Sequence, residues 1–239
     1  MISMRQNLLF LFLFAISQCV SAQSETSLQA ARKFYQEENY AEALKQLEKA
    51  AAEEPSNAAV PYLSARAYVD MSNYRKAATY MEKAIAMDST KPHWLYECGL
   101  IYYAIPDNKK SLAFILLAGE KGYKKTNDYL ENLGNAYLNA GQHDKGLDLL
   151  NEVLKKKPED PELLYIIAEA NYKTGKYDQA INLWDQVFRF EENNAEVLYM
   201  IGMAYQKKGE KQKGQQICDR AIEMDPSLRS KRQRMGGDF

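Results

Sequence analysis

Apolar residues recur along this chain in paired stripes at helical spacing, and the pairs themselves repeat. Between Asn127 and Asp160, Leu130, Leu133, Gly134 and Tyr137 share one helical face. Gly141 then breaks the chain, and Gly146, Leu150 and Val153 form a second stripe closed by Pro158. The spacing predicts a helix, a tight turn and a second helix. Such a hairpin cannot bury both of its apolar faces alone and must stack on copies of itself.

The copies are present. Six in-phase segments run 24–57, 58–91, 92–126, 127–160, 161–194 and 195–228. Position 8 of each holds Ala31, Ala65, Gly99, Gly134, Ala168 and Gly202, small residues that predict a close crossing of the two helices. Position 11 holds Phe34, Tyr68, Tyr102, Tyr137, Asn171 and Tyr205, and position 20 holds Ala43, Ala77, Ser111, Gly146, Ala180 and Gly214. Proline ends the first, fourth and sixth segments at Pro55, Pro158 and Pro226. The third is irregular: it is one residue longer, Pro106 stands at its turn, and Gly119 and Gly122 are expected to loosen its end.

This phase resembles the tetratricopeptide repeat over residues 24–228, most recognisably in Leu130-x-x-Leu133-Gly134-x-x-Tyr137 and Gly175-Lys176-Tyr177-x-x-Ala180. The resemblance implies an all-α, right-handed α-solenoid of six antiparallel helix hairpins, with the first helices lining a concave groove. It implies that positions 2, 5, 9, 12 and 13 face that groove. On this chain those positions include Tyr62, Tyr96, Tyr165 and Tyr199, then Tyr35, Tyr103 and Tyr172, with Arg32 and Arg66 sharing position 9. Glu25, Asp128, Glu162 and Glu196 would add an acidic rim at position 2.

A tyrosine offers a large apolar face and a hydroxyl for a peptide backbone. The expected ligand is an extended or helical peptide segment, apolar with some positive charge. The same rings could instead pack edge to edge as the inner wall, and Arg32 and Arg66 could pair with neighbouring acids. On the second helices, Leu116 and Leu117 stand where every sibling segment is polar, a candidate second interface unless the irregular packing turns them inward.

Composition narrows the remaining classes. A formal net charge of −1 gives no reason to expect nucleic acid. Two histidines, His93 and His143, have no companion ligands for a metal, and no phosphate loop or nucleophile elbow is present. The chain reads as a non-enzymatic binding scaffold without cofactor or metal. A glycan-binding solenoid is the alternative, since tyrosine faces also stack on sugars.

Arg5, the apolar run Leu8 to Ile16 and Val20-Ser21-Ala22 predict a secretory signal peptide over 1–22, with export to a periplasm or beyond and an envelope protein as partner. Cys19 offers a less favoured lipid-anchoring alternative. With it removed, Cys98 and Cys218 remain, too far apart in a repeat stack to form a disulfide and expected in the core. No later segment has the length of a membrane helix. After Pro226, Arg229, Lys231, Arg232 and Arg234 make 229–239 a basic cap or tail, with contact to an anionic lipid surface as its sharper reading.

Overall fold

The structure is a computed structural model that describes residues 26–230. The predicted signal peptide with Cys19, the rim residue Glu25 and the tail beyond Ser230 lie outside the described residues. Twelve helices and no strand are present among the described residues. They are α1 (Ser27–Gln36), α2 (Tyr40–Glu53), α3 (Ala59–Asp70), α4 (Tyr74–Met87), α5 (Pro92–Ala104), α6 (Asn108–Glu120), α7 (Asn127–Asn139), α8 (His143–Leu154), α9 (Pro161–Lys173), α10 (Tyr177–Phe190), α11 (Ala195–Lys208) and α12 (Lys211–Met224). Each of the six segments supplies one consecutive pair.

The helices begin where short polar side chains can take up free backbone amides. Thr26 and Gln29 form a reciprocal capping box at α1, and Asn39, Asn73, Asp107, Thr126, Asp160 and Asn194 cap six later helices. First helices end in a shared left-handed turn. Its central residue is Gly141, Gly175 or Gly209 in the last three repeats, but Glu38 (φ 58°) and Ser72 (φ 56°) in the first two. The following amide bonds back to position 11, as in Asn73 to the Tyr68 carbonyl at 2.8 Å and Gln142 to Tyr137 at 2.9 Å.

The chain divides into two compact units, the first ending at Ile105 and the second starting at Pro106. The boundary falls inside the irregular third repeat, so α5 belongs to the first unit and α6 to the second. In the first unit, Leu28 and Ala31 of α1 pack with Leu47 and Ala50 of α2 and Val60 of α3. The second unit repeats this arrangement: Leu147, Leu150 and Val153 of α8 meet Leu163, Ile167 and Ala170 of α9, and Trp184 of α10 lies between α9 and α11. Cys98 and Cys218 are buried and form no disulfide.

The small residues at positions 8 and 20 are buried in every repeat. Where both are glycine, space is tightest: a Cβ on Gly146 would lie 2.8 Å from the Gly134 carbonyl oxygen, and one on Gly214 2.5 Å from that of Gly202. Gly119 and Gly122 do not loosen the third repeat. Gly122 (φ 93°) closes α6, with the next amide, Tyr123, bonding to Ala118 at 2.9 Å, while Gly119 leaves the space that the Tyr129 ring enters.

Candidate peptide-binding surfaces

In the first unit the first helices α1, α3 and α5 bring together Tyr35, Tyr62, Arg66, Asp70, His93 and Glu97. The Tyr62 ring stacks on Trp94 with centroids 4.7 Å apart and meets His93 edge-on at 5.9 Å. Its hydroxyl donates to Glu97 at 3.1 Å. The Tyr35 hydroxyl donates to Asp70, and the Arg66 guanidinium lies over the Tyr35 ring, 5.5 Å from its centroid.

Removal from water governs the titration of this cluster. Burial, then the Asp70 hydrogen bond, push Tyr35 up to about 12. Burial, then the Glu97 charge, raise Tyr62. Glu97 is raised as well: burial outweighs the Tyr62 hydrogen bond and the charges of Arg66 and His93, which favour its ionised form.

In the second unit Tyr165 and Tyr172 are half-buried and lean on Trp184, with ring centroids 6.3 and 5.7 Å from it. Burial, then the charges of Glu196 and Glu169, raise Tyr165. Asp128, Glu162 and Glu196 stand exposed in the first turns of α7, α9 and α11, where a carboxylate also complements the helix dipole. Deeper on these helices Glu131 pairs with Lys157 at 3.7 Å and Glu169 with Lys173 at 2.7 Å.

The expected row of seven tyrosines divides between the two units. Four lie in the first unit and three in the second. Tyr96 is only 8% exposed and Tyr199 only 1%, so these two belong to the packed wall and offer no ring to a ligand. Tyr199 is covered by a cluster that includes Met203, Cys218 and Leu228, the last lying beyond the final hairpin. Tyr35, Tyr62, Tyr165 and Tyr172 are half-buried, and Tyr103 is 46% exposed. The hydroxyls of Tyr35 and Tyr62, expected to serve a peptide backbone, are taken by carboxylates.

The two arginines differ. Arg66 is held by aromatic neighbours rather than by a salt bridge, and Arg32 is exposed and enters no ion pair among the described residues. Leu116 and Leu117 are half-buried, between fully buried Ile115 and Ala118. Among the described residues no cluster of His, Cys, Asp or Glu could hold a metal, and no helix is long and apolar enough to cross a membrane.

One regularity went unread in the sequence. A lysine at position 19 lies over the position-11 ring in three repeats: Lys76 over Tyr68 at 5.2 Å, Lys145 over Tyr137 at 5.5 Å and Lys213 over Tyr205 at 3.8 Å. The signal was available, since both residues recur in phase eight positions apart across the turn.

Four family models match the chain. Three, each described as a tetratricopeptide repeat, cover residues 34–96, 131–188 and 195–228, and a fourth, described as a TPR repeat, covers 168–209. Together they take in more than half of the sequence and leave out 97–130, most of which is the irregular third repeat. No curated protein matches in sequence. Among solved structures, YrrB, described as a TPR protein with an unusual peptide-binding site, superposes with a TM-score of 0.62 at 21% identity, over 78% of this chain and 97% of that one. MamA from Desulfovibrio magneticus gives 0.62 at 17%, over 73% and 98%. The C-terminal part of a TPR repeat-containing protein from Cytophaga hutchinsonii gives 0.65 at 16%, over 87% and 82%.

Proposed function

The chain belongs to the tetratricopeptide repeat family, and on that footing we propose that it is a non-enzymatic interaction scaffold that holds a peptide segment of a partner protein against its first helices. The observation that carries this reading is the set of half-buried tyrosine rings, Tyr62 on α3 and Tyr165 on α9, held rigidly by Trp94 and Trp184. Rings fixed in this way lose little entropy when an apolar side chain covers them. In the first unit their neighbours are Arg66 and Glu97; in the second they are the acids Glu196 and Glu169, which favour a ligand with positive charge. The peptide-binding site of YrrB on a similar fold supports the same use.

The test is in-cell crosslinking from Tyr103, the most exposed of the seven tyrosines, repeated in a Tyr62→Ala, Tyr165→Ala variant whose helicity is checked by circular dichroism. Capture of a defined protein that the variant loses supports the proposal. Capture unchanged by the double substitution, or retention on purified peptidoglycan in place of any protein, overturns it.

The proposal includes export. Arg5, the run Leu8 to Ile16 and Val20-Ser21-Ala22 support cleavage before Gln23 and a partner in the cell envelope. N-terminal sequencing of the mature protein tests this directly: a chain starting at Gln23 supports it, whereas a retained Met1 or a lipid-modified Cys19 does not.

A further inference from the structure

Repeat five breaks the Tyr–Lys rule at both positions at once. Four sibling repeats carry a tyrosine at position 11 and a lysine at position 19, and the first carries Phe34 and Glu42; this one carries Asn171 and Gln179, with neither a ring nor a charge. Both line a crevice of about 380 Å³ between α8, α9 and α10, on the second helices and away from the tyrosine surfaces. The counterpart between α2, α3 and α4 retains its tyrosine: Tyr68 and Tyr80 stack there at 5.3 Å.

Asn171 is 7% exposed. Its Nδ2 donates to the Ile167 carbonyl at 2.8 Å, within its own helix, while its Oδ1 accepts nothing from the described protein. An amide oxygen that opens on a crevice without a protein donor is free to accept one from outside. The rest of the lining agrees. Asp144 and Asp148 add carboxylates above a floor that includes Leu147, Ile167 and Leu183. The one lysine of the crevice, Lys176, reaches Asp144 at 3.6 Å in an exposed pair of little worth, leaving Asp148 available.

We propose that this crevice is a binding site for an arginine side chain of a basic peptide. In the sibling repeats that hold the Tyr–Lys pair the chain supplies its own cation at this place; in repeat five both the ring and the lysine are gone and side-chain amides stand instead. A guanidinium presents five donors and no acceptor, which suits Asn171 Oδ1 together with Asp148. Its aliphatic stem lies on the leucine and isoleucine floor. The volume falls within the range of small-ligand sites. The site does not depend on the tyrosine surfaces and would act as a second point of attachment for a partner already held there, or for a different one.

The test is titration of the ¹⁵N-labelled full chain with acetyl-Gly-Arg-Gly-amide, followed through the side-chain amides of Asn171 and Gln179, with the citrulline peptide as the uncharged control. The expected result is a shift of both signals by the arginine peptide, at least tenfold weaker binding in Asp148→Asn, and loss of binding in Asn171→Tyr, Gln179→Lys, which rebuilds the sibling pair. The proposal is overturned if the citrulline peptide binds equally, if neither amide signal moves, or if the folded double variant binds as well as the parent.

Discussion

The Tyr62 hydroxyl donates to Glu97 across 3.1 Å, joining two residues that stand 35 positions apart. Tyr35 and Asp70 have the same separation and the same kind of bond. A repeat of 34 residues places equivalent positions of successive first helices side by side, so a separation one residue longer reaches diagonally from one helix to the next. Each bond therefore fastens neighbouring first helices of the first unit, and its effect is on rigidity: the rings are fixed, and their faces, not their hydroxyls, are left for a ligand.

Glu97 provides the first prediction. Burial raises its carboxyl above the ordinary carboxylate value, so in the window between the unfolded and folded values the folded chain holds a proton that the unfolded chain has released. This residue's contribution is thus fully favourable in acid and is lost as pH rises through the raised value. Glu97→Gln keeps an acceptor for Tyr62 and removes the ionisation. The variant should be more stable than the parent at pH 7, with a difference that shrinks towards pH 4, as read by urea denaturation across that range. A difference that does not vary with pH contradicts the assignment.

Ser72 occupies the left-handed turn that three other repeats give to glycine, at φ 56°. A residue with a Cβ is disfavoured there by roughly 1–2 kcal/mol, of which glycine's extra freedom in the unfolded chain takes back up to about 1 kcal/mol. Ser72→Gly should therefore stabilise the chain by about 0.5 kcal/mol, seen as a small rise in the urea midpoint at unchanged slope. A fall in the midpoint would show that the Ser72 side chain supports the turn.

Gly214 faces Gly202 where repeats one, two and five place alanine opposite alanine. An alanine Cβ there would lie 2.5 Å from the Gly202 carbonyl oxygen and 2.7 Å from the Gln206 nitrogen, both backbone atoms that cannot swing aside. The helix propensity gained, about 1 kcal/mol, does not offset the overlap. Gly214→Ala should lose about 2 kcal/mol net, although the same residue is native in the sibling hairpins. Thermal denaturation measures it, and an unchanged melting temperature would mean that this crossing is wider than described.

The hairpins were legible because alanines and glycines at positions 8 and 20 mark helix crossings whatever surrounds them. The tyrosine surface was only half legible. Periodicity gives the face of a helix on which a ring lies, but not whether another element covers that face. Tyr199 shares its face with Tyr165, yet it is buried in a cluster that takes in Leu228, a residue beyond the final helix pair. The bonds from Tyr35 and Tyr62 were hidden for a related reason: they connect unlike positions of successive repeats, and an alignment that stacks like on like does not display them. Asn171 was visible as the one non-aromatic residue at its position, but its meaning needed the lysines that lie over the sibling rings.

Gly119 and Tyr129 form a fitted pair. The Tyr129 ring is buried against α6, and its hydroxyl donates to the Ile115 carbonyl at 3.1 Å by passing over Gly119. A Cβ on Gly119 would overlap Tyr129 Oη and come within 3.1 Å of Cζ. Gly119→Ala alone should be destabilising by about 2 kcal/mol, because the ring must move out of a packed site and abandon its bond. Tyr129→Phe alone should cost about 1 kcal/mol for the lost hydrogen bond. Together they should cost less than the sum, since removing the hydroxyl removes the atom that the new methyl meets, and 3.1 Å to the ring is a contact that a small shift relieves. A double-mutant cycle from urea denaturation measures this coupling. Strictly additive losses would mean that α6 and α7 meet through other residues and that Gly119 is only a weak point in its helix.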